Sequence, residues 1–430
     1  MPPTTPTPPT ASADPSRGFL SGLVALTFLM NTIGRGLTET FAVYLLPVET
    51  ALDVDRTQIS AVYSIYMLAY GLSAPFAGQL IDRLGARACY GAGLLALGGG
   101  YLLGAQAHSI WTYYLGVGVL GGLGAASVSM VAASSLLSRW FVDRLGSVSS
   151  IPYAAVGAGM LTFPPLAQML MRWYDWRTVQ SWQGLVALAF IPLLFVLPLD
   201  RYSSGSDAWR ALRQRAPSGR ADKSDTAWTA RRALGTSAFW MLFLAYFATS
   251  VAAYSVLPHS VAFLVEAGFD PVVAASAFGF TGVLSVIGIT ATGWLSDRIG
   301  RRPVVTASLL ITIAGIACLL AIVAWPSALL MYGFVLGFGL MQGARGPILV
   351  ALVAKIFRGG SIGTIFGTLS AALGLGAGAG SLLSGKLHTL TGNYAMSFIM
   401  AIIAACVALA TFWLSPSLRL ERIVTRKACP

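Results

Sequence analysis

Charge is what this sequence has least of. Only 10% of its residues are Asp, Glu, Lys or Arg, against roughly 25% in a soluble globular domain, and that excludes an ordinary soluble fold. Histidines number three and cysteines four. Cys89, Cys318, Cys406 and Cys429 show no paired spacing, so neither a disulfide framework nor a Cys/His metal site is expected. No Gly-x-x-x-x-Gly-Lys-Ser/Thr loop occurs, which excludes nucleotide-driven pumping by this chain. No hydrolytic or redox constellation is present either, so the chain is read as a non-enzyme that needs no cofactor.

What replaces charge is apolar length. Hydrophobic residues make up 56% of the chain and the mean hydropathy is +0.72. A helix needs about 20 apolar residues to cross ~30 Å of hydrocarbon, and twelve such runs occur. They cover 19–46, 58–80, 86–106, 110–137, 146–170, 178–198, 236–265, 272–296, 303–324, 328–357, 361–388 and 393–415. The runs are continuous rather than alternating, so an all-α membrane protein is expected and a closed β-barrel is not. Their many glycines suit helices packed closely in lipid.

The formal net charge of +12 raises the question of a nucleic-acid partner, and its distribution answers it. With the N-terminus cytoplasmic, alternate loops on that side collect 22 basic residues and the opposite side only four. This is the positive-inside asymmetry; it predicts both termini in the cytoplasm and a lipid bilayer, not nucleic acid, as the surroundings. The expected organisation is a Pro/Thr-rich disordered tail (1–17) that is no signal peptide, a six-helix half (18–198), a polar linker (199–235), a second six-helix half (236–416) and a cytoplasmic tail (417–430).

Three charges fall deep inside the apolar runs, away from their ends: Arg35 and Glu39 in the first and Arg345 in the tenth. Each costs ~2.5–3.5 kcal/mol at a helix centre on insertion scales. At 1.5 Å per residue, Arg35 lies ~24 Å from the start of its run and Arg345 ~18 Å from the end of its own, so both are near mid-membrane. Glu39 follows Arg35 by one turn, where a salt bridge forms easily. Two readings of the pair stand: a permanent structural ion pair, or a proton carrier whose protonation frees Arg35. Burial disfavours the charged carboxyl and the guanidinium favours it. Polar neighbours on the same helices are Asn31 and Gln342, and Tyr246 and Tyr254 share a face of the seventh run, as Tyr66 does with Tyr63 and Tyr70 on the second. His259, after Pro258, fits an interfacial or capping role, or a group titrating near neutral pH.

The same signature, Gly-x-Leu-x-Asp-Arg-x-Gly-x-Arg, occurs twice. One copy holds Gly78, Leu80, Asp82, Arg83, Gly85 and Arg87; the other holds Gly293, Leu295, Asp297, Arg298, Gly300 and Arg302. Each sits after the second apolar run of its half. A chain of two such halves resembles the major facilitator superfamily of secondary transporters. That resemblance implies the fold, twelve helices in two pseudo-symmetric halves, and a cavity lined by helices 1, 4, 7 and 10. It also implies that Asp82, Arg83 and Arg87, with Asp297, Arg298, Arg301 and Arg302, form gating bridges between neighbouring helices at the cytoplasmic face. On this frame, Arg35 and Arg345 would face one cavity from opposite halves and hold an anion, most naturally a carboxylate gripped by bidentate hydrogen bonds.

Further segments are similar to the monocarboxylate-porter and oxalate/formate-exchanger branch. They are Trp140-Phe141 with Arg144, the run Gly157, Gly159, Pro164, Pro165 ending before Asp175-Trp176-Arg177, and Gly359 to Gly378 leading to Thr391-Gly392-Asn393-Tyr394. The acidic-Gly-x-aromatic opening of helix 1 is absent, Arg35-Gly36 standing there instead, and the eighth run is uncharged over 272–296. The expected function is inner-membrane transport of a small organic anion by alternating access, with a proton co-transported. The alternatives are a larger aromatic or heterocyclic cargo, in either direction, or a non-transporting sensor.

Overall fold

The structure is a computed structural model, and it describes residues 17–141, 145–206, 209, 230–345, 348, 352, 356–357 and 362–414. Tail 417–430, all of tail 1–17 but Arg17, most of linker 199–235 and the side chain of Asp297 lie outside the described residues.

Apolar runs become helices because, in lipid, every backbone group must find its partner within the segment. The helices are α1 (Arg17–Leu52), α2 (Arg56–Ala105), α3 (Ile110–Ser138), α4 (Leu145–Leu170), α5 (Trp176–Val196), α6 (Ser237–Glu266), α7 (Pro271–Ile299), α8 (Arg301–Ala324), α9 (Ala328–Met341), α10 (Ile362–Thr391) and α11 (Ala395–Leu414). At 50 residues α2 would be ~75 Å long if straight. It is instead two crossings joined at Gly85, whose φ of 82° and ψ of 177° turn the chain. Beyond the turn, Cys89 Sγ reaches back to donate to the Ala77 carbonyl at 3.6 Å. The second repeat behaves alike: Gly300, with φ 92° and ψ 156°, separates α7 from α8. A side chain is strained at such a φ, which is why the repeated signature carries glycine there.

The apolar run 328–357 predicts one continuous helix carrying Arg345, and the structure differs. The helix ends at Met341, Gln342 turns extended (φ −62°, ψ 118°) and Gly343 takes φ 78°. Arg345 therefore sits in a turn. The cause is local: Gly343 supplies the left-handed residue, and the Gly346-Pro347 pair that follows in the sequence disfavours helix before the proline.

Close packing within and between the halves runs through small residues. Gly159 meets the backbone of Thr32 and Gly36, joining α4 to α1, and Gly376 meets Phe247, joining α10 to α6. Between halves, α2 packs on α10 and α4 on α7, with Gly157 against Gly282. Ser64 Oγ donates to the Gly378 carbonyl at 2.7 Å across that seam. An apolar cluster closes it, with Ala42, Val43 and Met160 of the first half against Val256, Leu257 and Phe278 of the second.

Among the described residues, the ion pairs that cross between halves lie at the face opposite the repeated loops, here called the far face. They are Arg172–Asp270 and Arg56–Glu266, each at 2.7 Å. Thr57 and Thr389 add a hydroxyl–hydroxyl bond of 2.9 Å. At the loop face the pairs shown are Asp82–Arg139 at 2.6 Å, inside the first half, and Arg87–Asp200 at 2.9 Å, from the first half to the start of the linker. In this conformer the halves are tied at the far face.

Candidate functional site

Arg35 and Glu39 stand one turn apart on α1, and the helix period brings them to 2.5 Å. Glu39 is 2% exposed and Arg35 22%. Thr38 and Thr40 satisfy their hydroxyls within the helix, on the carbonyls of Gly34 and Gly36, both at 2.6 Å. Gly34 and Gly36 in turn admit Val128 and Phe163 against the helix, so the pair is held on a rigid, closely packed segment.

Around the pair the tyrosines converge. Tyr254, from the second half, stands near Arg35. The Tyr63 ring lies 6.0 Å from that of Tyr254, 6.1 Å from that of Tyr66 and 5.2 Å from that of Phe41. Tyr66 bonds to the Thr38 hydroxyl. Among the described residues, Arg35 Nε and the Tyr63 hydroxyl are buried without a hydrogen-bond partner. The arrangement is a cationic donor with unused capacity, one carboxyl, and phenolic rims at the seam between halves. It suits an anion whose body is apolar or aromatic.

The other expected site residues make no hydrogen bond to this cluster among the described residues. Asn31 is buried and gives its amide to the Thr27 carbonyl at 2.8 Å, within its own helix. Tyr246 is buried, its hydroxyl unpartnered among the described residues. Gln342 caps α9 and its side-chain oxygen is likewise unpartnered. Arg345 is 4% exposed and turns toward α8, where Nη1 donates to Thr312 Oγ1 at 2.9 Å. Thr312 can accept because its own proton goes to the Ser308 carbonyl at 2.8 Å. Among the described residues Arg35 and Arg345 share no partner: Arg345 bonds Thr312 on α8, which packs on α9 and α11 inside the second half, and Arg35 pairs with Glu39.

At the repeated loops, Asp82 accepts from Arg139 at the end of α3. Arg87 pairs with Asp200 and donates to the Leu194 carbonyl at 3.2 Å. Arg83 borders a mainly apolar cavity of about 670 Å³ with Phe76, Leu80, Leu84 and Leu123. In the second copy, Arg298 stacks 4.0 Å from the Trp294 ring and Arg302 donates to the Phe412 carbonyl at 3.3 Å, while Arg301 opens α8.

Sequence reading missed a second polar cluster, at the far face, around Arg56, Glu49, Glu266 and Tyr394. The charge pattern marks Arg56 only as one of the four basic residues on the far side, and Glu49 and Glu266 carry no signal of their own. His259 belongs to its edge: fully buried, it bonds Tyr394 at 3.2 Å and the Ser381 carbonyl at 3.1 Å.

Comparison with known proteins gives the same picture. The chain matches the Major Facilitator Superfamily over residues 24–296 and 280–426. It is 26% identical over 392 residues to monocarboxylate transporter 13 of Rattus norvegicus, covering 90% of this chain and 87% of that protein. It is 25% identical over 400 residues to the uncharacterised MFS-type transporter YcxA of Bacillus subtilis (strain 168), covering 90% and 91%. Among solved structures, a bacterial homologue of the human lysosomal transporter Spinster, inward-facing and unoccupied, superposes with a TM-score of 0.73 at 16% identity, over 94% of this chain and 98% of that one. The inward-open xylose transporter XylE from E. coli gives 0.71 at 12% identity, over 92% and 95%. At such identities these two speak for the fold alone. A chain with this helix order, these paired loops and a family match across nearly its whole length is a multi-pass membrane transporter, not an enzyme, similar to the monocarboxylate transporters, and it belongs to the major facilitator superfamily.

Proposed function

We propose that this transporter is a secondary active carrier of a small organic anion, a carboxylate in the first instance, coupled to a proton. The observation that carries the reading is the Arg35–Glu39 pair at 2.5 Å, beside the seam where the Tyr63 ring of the first half meets the Tyr254 ring of the second at 6.0 Å. A carboxylate entering from the cavity competes with Glu39 for one guanidinium. Two carboxylates sharing that cation cannot both stay ionised cheaply in a low-dielectric site, so the second binds with a proton on one of them. Arg35 plus cargo plus neutral Glu39 is then charge-balanced and can reorient. Without cargo, Arg35–Glu39 is balanced too, which permits the return of the empty carrier.

Arg345 adds a second buried positive charge whose field favours anions at a distance while its guanidinium rests on Thr312. The loop residues Asp82, Arg83, Arg87, Asp297, Arg298, Arg301 and Arg302 act as the gate of the loop face. The excess of basic residues on that side puts it in the cytoplasm, with the membrane the cytoplasmic (inner) one. Alternating access then rocks the halves about the Arg35 seam.

The rings of Tyr63, Tyr66 and Tyr254 beside the guanidinium favour a second reading, a larger aromatic or heterocyclic cargo. A thermal-shift screen of the purified protein separates the two, using acetate, lactate, pyruvate, benzoate and phenylacetate with the matching amides as neutral controls. Stabilisation by the acids and not the amides supports the anion reading; equal stabilisation by benzoate and benzamide supports the aromatic one.

A further inference from the structure

Arg56 opens α2 at the far face and is 5% exposed. It faces both halves at once. Toward its own half, Nε donates to both oxygens of Glu49, at 3.0 and 2.9 Å. Toward the other, Nη2 donates to Glu266 at 2.7 Å and Nη1 to the Tyr394 hydroxyl. Glu266 has a companion in its own half as well, since His388 Nε2 lies 3.5 Å from its second oxygen. Nearby, Thr57 meets Thr389, and Ser381, with no exposed surface, donates to the Ser60 carbonyl at 3.3 Å.

We propose that Arg56 is the latch of the far-face gate, a positioning residue whose bonds to Glu266 and Tyr394 must break for the transporter to open on that side. The two carboxylates have opposite effects on it. Glu266 holds Arg56 only while the gate is shut. Glu49 travels with Arg56 and keeps the guanidinium paired once the gate has opened. An arginine left buried and unpaired is costly, so Glu49 lowers the free energy of the open state relative to the closed one, and Glu266 raises it. His388 does for Glu266 what Glu49 does for Arg56. A static structural cluster has no such asymmetry: every deletion would loosen it alike.

The inference rests on alternating access but not on the identity of the cargo, and its test needs no substrate. In a variant with Cys89, Cys318, Cys406 and Cys429 replaced, Ser381→Cys places one thiol in the seam, reachable from the far face only when the gate opens. Its labelling rate by a membrane-impermeant maleimide is read in reconstituted vesicles. Arg56→Gln and Glu266→Gln should each speed labelling, on the order of tenfold for a charge-assisted bond. Glu49→Gln should slow it by a similar factor. If Arg56→Gln or Glu266→Gln fails to fold, the opposed signs of the other and Glu49→Gln still decide; if Glu49→Gln fails, Glu49→Ala replaces it with the same expected slowing. Unchanged rates, or faster labelling in all three, would overturn the latch.

Discussion

Arg35 and Glu39 form an ion pair within one helical turn of α1, 2.5 Å apart, the arginine 22% exposed and the carboxyl 2%. The carboxyl is thus sealed while the cation is the more accessible partner. An incoming anion meets the cation, and the charge it displaces is internal.

Glu39→Gln should abolish accumulation driven by an imposed pH gradient while leaving some anion exchange. The neutral amide mimics protonated Glu39 and leaves Arg35 free to bind. Uptake and counterflow of a radiolabelled carboxylate in proteoliposomes measure the two modes. An unchanged pH dependence would relegate Glu39 to a structural partner.

The two arginines should differ in their effects. Arg35→Ala removes a direct charge-assisted contact and should weaken anion binding by roughly 10- to 100-fold. Arg345→Ala should weaken it less, since that guanidinium bonds Thr312, and both proteins should still insert. Equal losses in equilibrium binding would show that Arg345 moves into the site.

Gly343→Ala should destabilise the break after α9. At φ 78° a β-carbon is strained, and the Ile289 side chain stands 3.1 Å from where it would be. A penalty of about 1–2 kcal/mol follows from the left-handed conformation alone, visible as a lower Tm in detergent. A variant as stable as wild type would mean that the break relaxes into helix.

The far-face link Arg172–Asp270 should be insensitive to pH until strongly acid conditions. Asp270 caps α7, and the backbone N–H of Val273, then that of Val272 and Arg172, hold its carboxyl below the ordinary value of 3.8. A depressed carboxyl contributes stability above its ordinary pKa and loses it as pH falls through the depressed one. Asp270→Asn keeps a cap but not the charge, so its Tm deficit should be constant between about pH 5 and 8 and shrink only below 3.8. A deficit that vanishes by pH 5 would contradict this.

The fold was legible because lipid enforces it. Apolar runs have to be helices, and the repeated signature marked both loop turns down to Gly85 and Gly300, whose positive φ matches in the two copies. The α9 break was readable too, in Gly343 and Gly346-Pro347, but hydropathy averaged over 20 residues hides a four-residue turn. The Arg35–Glu39 contact follows from spacing on one helix. The nearness of Tyr254 does not, since 219 residues separate it from Arg35 and only the packing of the halves brings it there. Arg56 escaped notice for the same reason: its cross-half partners Glu266 and Tyr394 are remote in sequence, and a charge at a helix end normally needs no explanation.

The most direct test of the central claim is the number of protons taken up per carboxylate bound, measured in lightly buffered solution for wild type and Glu39→Gln. The anion–proton account predicts about one proton for wild type and none for the variant, with binding retained in both. Anion binding without proton uptake in wild type, or the same uptake in the variant, would contradict it.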